Sequence, residues 1–179
     1  MRLIAILLLA FFIVGCGYKP SSVAARDILG SSVWIDVIIS KIDPESSVAI
    51  KDGIKSAMLR RLGVSLTQKD KAESIIIASI KSLTFDAISY DHFGYATAYK
   101  ANLTIEYKLK QKDGNIKSVL ASGDYDFRVT RRINDNRFTD SVISDSERFD
   151  AIANASLQSF DEFVSKLAMQ GLLNGKSNI

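Results

Sequence analysis

From Tyr95 to Lys110 the chain alternates almost without interruption. Tyr95, Thr97, Tyr99, Ala101, Leu103, Ile105, Tyr107 and Leu109 take one side, and Ala96, Ala98, Lys100, Asn102, Thr104, Glu106, Lys108 and Lys110 take the other. A period of two over this length fits an extended strand and no helix, because successive side chains of a strand point to opposite faces. One face is apolar and must be covered while the other can meet water, which calls for a sheet buried on a single side.

The flanking segments extend this pattern. Ser74 to Ser89 is rich in β-formers, and its alternation slips near Lys81 to Thr84 as a bulge would make it. Asp113-Gly114 marks a turn, after which Val119, Ala121, Tyr125, Phe127 and Val129 face inward and Ser122, Asp124, Asp126 and Arg128 outward. Upstream, Val33, Ile35, Val37 and Ile39 alternate with Trp34, Asp36 and Ile38, giving a first strand. Asp43-Pro44 then offers a cap and a proline at the first helical position; Ile50, Ile54, Met58 and Leu62 form one stripe, and Gly63 is placed to end the helix. Gly53 inside that helix costs about 1 kcal/mol relative to alanine. Ser144-Asp145-Ser146-Glu147 has capping-box spacing, and Phe149, Ile152, Ala153, Leu157, Phe160, Val164 and Leu167 follow at helical intervals. The order strand, helix, three strands, helix predicts an α+β two-layer sandwich, a mixed four-stranded sheet with two helices packed on one face. This single domain is expected over residues 33–172, with a short tail at 173–179.

The N-terminus has a different character. Arg2 precedes the apolar run Leu3 to Val14, which ends in Ile13-Val14-Gly15-Cys16. The run is too short for a membrane span, which needs about 20 residues, and it has the layout of a signal peptide over residues 1–15. Cys16, the only cysteine, follows the cut site directly and reads as a lipobox cysteine that receives acyl chains of the palmitate type. Two or more chains make such an attachment durable where one does not. Residues 16–32, with Pro20, Ser21, Ser22, Gly30 and Ser31, read as a tether between lipid and domain. Gly17 is the second mature residue; an Asp there often retains bacterial lipoproteins at the inner membrane, so its absence points to the outer one.

Loss of Arg2 takes Lys+Arg from 23 to 22 against 20 Asp+Glu, a balance that argues against a nucleic-acid binder. A lone cysteine excludes intrachain disulfides and cysteine-based zinc sites. His92 is the only histidine and falls at a predicted hairpin tip, where a solvated side chain is the simpler reading than a catalytic one. The paired carboxylates Asp124 and Asp126 lie on the polar side of a strand, and Asp140, Asp145, Glu147 and Asp150 surround a helix N-terminus, where the dipole favours negative charge. Neither group reads as a catalytic or metal site, and the chain is expected to be no enzyme and to need no cofactor. Arg128, Arg131, Arg132 and Arg137 cluster beside Phe127, Ile133 and Phe138, a combination suited to a phosphorylated lipid headgroup or equally to a solvated loop. The strand face bearing Lys100, Lys108 and Lys110 is a second candidate surface.

Several segments, taken in order, resemble the lipopolysaccharide-assembly lipoprotein family, LptE (also RlpB). They are Cys16-Gly17-Tyr18, the stretch LRRLGVSL from Leu59 to Leu66, GYATAYKANLTIEYKL from Gly94 to Leu109, Phe127-Arg128, and the final helix from Glu147. The resemblance implies a lipid-anchored protein on the periplasmic side of the outer membrane. It would plug a large LptD-like β-barrel, assist its folding and contact lipopolysaccharide. Some members use basic residues near the hairpin tip and just before the last helix; His92 and Ser144 fall there in this chain, so Arg131, Arg132 or Arg137 is expected to substitute, and Arg128 and His92 remain contact candidates beside them. The same anchor and fold order also suit an auxiliary lipoprotein of a lipid-trafficking ABC transporter or an activator of a peptidoglycan synthase, the latter usually on a longer tether.

Overall fold

A computed structural model describes residues 20–38, 44–129, 133–134, 137–138 and 142–175. In chain order the elements are α1 (Ser21–Leu29), β1 (Ser32–Val37), α2 (Pro44–Arg61), β2 (Ser65–Leu66), β3 (Ser74–Tyr90), β4 (Ala96–Gln111), β5 (Ile116–Arg128), β6 (Ile133–Asn134), β7 (Arg137–Phe138) and α3 (Asp145–Gly175). Five strands form one mixed sheet in the order β2-β1-β3-β4-β5, and β6 and β7 form a separate ribbon. β1 runs parallel to β2 and β3, because the chain returns through α2; β3, β4 and β5 are antiparallel neighbours joined by hairpins.

The alternation of β4 is realised from Ala101 onward, while Tyr95 to Lys100 are all half-buried. Ala101, Leu103, Ile105, Tyr107 and Leu109 are buried against the helices, while Lys108 and Lys110 are exposed. The slip in β3 is a bulge: Ile80 pairs with Ile105 and Ser82 with Thr104, which leaves Lys81 as the extra residue. Ile76, Ala78, Leu83 and Phe85 thereby stay on the helix side. β1 ends at Val37; Ile38 is exposed, and Ile39 and Asp43 lie outside the described residues. Pro44 opens α2 as expected, and Gly63 follows its end with φ +58°, a left-handed conformation suited to glycine. At α3 the capping box is complete: Ser144 donates from Oγ (2.7 Å) and N–H (2.9 Å) to the Glu147 carboxylate, and the Glu147 N–H returns to Ser144 Oγ.

The main sheet has one strand more than the four expected, the β6–β7 ribbon is additional to it, and there is one helix more than the two expected. The added strand, β2, has two residues, too few for any periodicity to show. The added helix, α1, occupies residues read as tether, and it buries Ala24, Ala25 and Leu29. Pro20 and Gly30 bracket it, Gly30 with φ +78°, so the residues that resemble a linker are the start and stop of a helix.

In the core, Tyr107 stacks on Phe163 (4.6 Å) beside Phe160. Ser159 Oγ donates to the Ala121 carbonyl (3.1 Å) and so accepts from the Tyr107 hydroxyl (3.2 Å). Burial pushes the Tyr107 phenol far up, so it remains a neutral donor. Gly53 does more than its helix propensity suggests: a Cβ there would lie 2.5 Å from the Ala153 carbonyl oxygen and 2.7 Å from Ser156 Cβ. Gly123 in β5 likewise leaves room for the backbone of α3 at Ala155 and Ser159.

Candidate functional site

β3 and β4 meet at a tip built around Asp91. Its Oδ1 accepts the N–H groups of Phe93 (2.9 Å) and Tyr95 (3.0 Å), and Gly94, at φ +85°, donates to its carbonyl. An aspartate and a positive-φ glycine close the loop, which leaves His92 and Phe93 exposed with rings 3.7 Å apart. Ile88 and Tyr90 are exposed beside them, so the tip presents apolar and aromatic surface to solvent. Below it, Phe85 meets Phe127 edge-on (6.1 Å) and Tyr99 stacks on Phe127 (6.2 Å). The Arg148 guanidinium lies 5.0 Å from the Phe85 ring, within cation–π range, and 3.4 Å from Ser46 Oγ. Arg128 ends β5 opposite Ala98, on the wall of a shallow cleft of about 440 Å³ formed with Ile88, Ser89, Thr97, Asp126 and Phe127.

The sheet face turned away from the helices is a hydrogen-bonded lattice. Lys100 bridges Asp124 (3.3 Å) and Asp126 (3.4 Å), Asn102 donates to Asp86 (2.6 Å), and Thr104 meets Ser122 (3.1 Å). The hydrogen bond to Asp124, seconded by Asp126, raises the Lys100 pKa. Glu106 takes Lys81 (2.9 Å) and Ser118 (2.9 Å), and these bonds hold its carboxyl below the ordinary glutamate value. The paired carboxylates of β5 are thus bound to a lysine, and Glu147 is engaged in the helix cap. These groups organise a surface; the geometry suits binding.

The structure brings His92 and Arg128 to the same end of the sheet. Lys108 and Lys110 lie toward the opposite end of the outer face, Lys110 beside Ile75. Cys16, Arg131 and Arg132 fall outside the described residues, as does Asp140; Arg137 is placed by its backbone in β7. Sequence reasoning missed Ile88, Tyr90 and Phe93 at the tip, although aromatic residues flanking a turn are themselves a signal. It also missed Arg148, a cation in the first turn of a helix, where the dipole disfavours it and a tertiary role is implied.

The sequence model of the lipopolysaccharide-assembly family, LptE, matches residues 36–167, well over half of the chain. No curated protein sequence matches it. Among solved structures, a candidate lipoprotein from Caulobacter crescentus superposes with a TM-score of 0.52 at 13% identity, covering 87% of this chain and 96% of that one. Rare lipoprotein B from Shewanella oneidensis gives 0.38 at 12% identity, covering 82% and 94%. A minor lipoprotein from Acinetobacter baumannii gives 0.34 at 12%, covering 81% and 92%.

Proposed function

Because this chain belongs to the lipopolysaccharide-assembly family LptE, a family of non-enzymatic lipoproteins, we propose that it is anchored through Cys16 to the periplasmic side of the outer membrane. There it plugs an LptD-like β-barrel, assists that barrel's assembly and contacts lipopolysaccharide. The outer face of the main sheet carries this reading. Interiors of large outer-membrane barrels are polar and wet, and a plug needs its own covered core beneath a surface of charged, hydrogen-bonding groups. The lattice from Lys81 through Glu106 to Lys100 and Asp124 has that character. For lipopolysaccharide, the tip residues Ile88, Tyr90 and Phe93 suit acyl chains. Arg128, with Arg131, Arg132 and Arg137 just beyond β5, supplies guanidinium groups for phosphate.

The test is purification of the tagged full-length protein from membranes in detergent, with mass spectrometry of its partners and assay of bound lipopolysaccharide. A large outer-membrane barrel is expected to copurify, and Arg131→Glu with Arg132→Glu is expected to lower the lipopolysaccharide recovered without loss of the barrel. Recovery of inner-membrane transporter components in place of a barrel would sink the proposal.

A further inference from the structure

The two edges of the main sheet are finished differently. Along β5, α3 takes the outward backbone groups: Glu162 accepts the Ser122 N–H, Gln158 accepts the Asp124 N–H (3.4 Å), and Lys166 donates to the Leu120 carbonyl (2.8 Å). An edge occupied in this way is a poor template for another chain. At the other side, β2 pairs only with Ser32 and Val33 of β1, and the last bond between these segments runs from the Thr67 N–H to the Val33 carbonyl (3.1 Å). The Ile38 N–H bonds to Ala78 of β3 (2.9 Å), so strand alternation turns the N–H and C=O of Ile35 away from β3, toward the open side. No partner takes either group among the described residues.

This open stretch forms the floor of a groove of about 320 Å³ lined by Trp34, Ile35, Leu66 and Thr67, with Lys51 and Lys55 of α2 along its rim. Lys51 is engaged by Asp36 (3.3 Å), and Lys69 lies 5.1 Å above the Trp34 ring. Lys55 and Lys69 have no carboxylate partner among the described residues. The groove therefore combines unpaired backbone, apolar surface and uncompensated positive charge.

We propose that the β1 edge is a strand-addition site for an extended acidic segment of a partner protein. The segment pairs its backbone with Ile35, sets carboxylates against Lys55 and Lys69, and lays an apolar side chain beside Trp34 and Leu66. A second copy of this chain is the poorer occupant, since a two-fold contact at this edge brings each lysine rim against its own image. The inference stands apart from the lipopolysaccharide reading, because it uses the sheet edge and none of the hairpin-tip residues.

The test uses the full-length protein in detergent and a fluorescent peptide alternating valine with glutamate. Binding followed by anisotropy is expected to slow amide exchange at Ile35, and Lys55→Glu with Lys69→Glu is expected to weaken it about tenfold. N-methylation of the peptide's edge-facing amides keeps its charge and is expected to abolish binding. The proposal is overturned if the N-methylated peptide or a valine–lysine peptide binds as tightly as the original. It is equally overturned if the protein self-associates through this edge, seen as sedimentation of a dimer that Lys55→Glu dissolves.

Discussion

Gly53 and Gly123 set how closely α3 can lie on its neighbours. Alanine in place of a mid-helix glycine ordinarily stabilises by about 0.5–1 kcal/mol. At Gly53 the added methyl would meet the backbone of Ala153 and the side chain of Ser156, neither of which can swing aside. Gly53→Ala is therefore expected to destabilise by about 1–3 kcal/mol, read as a lower urea midpoint at unchanged slope; a raised midpoint would contradict the packing described. Sequence alone shows only the propensity cost of this glycine, because the backbone it accommodates is remote in the chain. The places of His92 at the hairpin tip and of Arg128 at the end of β5 were legible from turn and alternation signals. Arg148 was not, since its meaning rests on Phe85 and Ser46, which no local pattern connects to it.

Among the elements, β4 was the most legible, since long alternation admits one conformation and fixes which face is covered. α1 was the least: its apolar residues fill little more than two turns, and its flanking proline and glycine imitate a linker. The bulge in β3 showed as a lapse in alternation, and it makes a specific prediction. Lys81 is a spare residue, and its removal leaves Ile80 and Leu83 on the helix side in an unbroken ladder. Deletion of Lys81 is expected to leave the fold intact, losing only its solvent-screened ion pair with Glu106. Deletion of Lys108 removes a residue from a strand paired on both sides without a spare, so every side chain beyond it changes face or loses its partners. Near-ultraviolet circular dichroism should retain the native signal for the first and lose it for the second; similar spectra would show that register is not set where the bulge places it.

Across the whole molecule, three glutamates join parts that are distant in sequence. Glu73 accepts the Ser31 N–H (2.7 Å) at the junction of α1 and β1, Glu106 gathers the outer face, and Glu162 ties α3 to β5. The Ser31 backbone bond lowers the Glu73 pKa, and the Lys81 bond lowers that of Glu106. At Glu162 burial pushes upward, but the Lys166 and Ser122 bonds outweigh it and the net shift is down. A carboxylate with a lowered folded-state pKa adds stability that is present above its ordinary value of 4.5 and is lost as pH falls through the folded value. The urea midpoint should therefore hold steady from neutrality to about pH 5 and decline below pH 4.5, and the triple Glu→Gln variant should flatten that decline. An identical acid profile for the variant would remove these contacts from the account. The seating of α1 on the core has a consequence for where the protein can work. Only Gly17 to Pro20 separates Cys16 from the first helical residue, a reach of about 17 Å at full stretch, less than the width of two helices. If Cys16 carries the lipid proposed above, it moors the fold at the headgroups on a short line, and a partner then meets it at the bilayer surface.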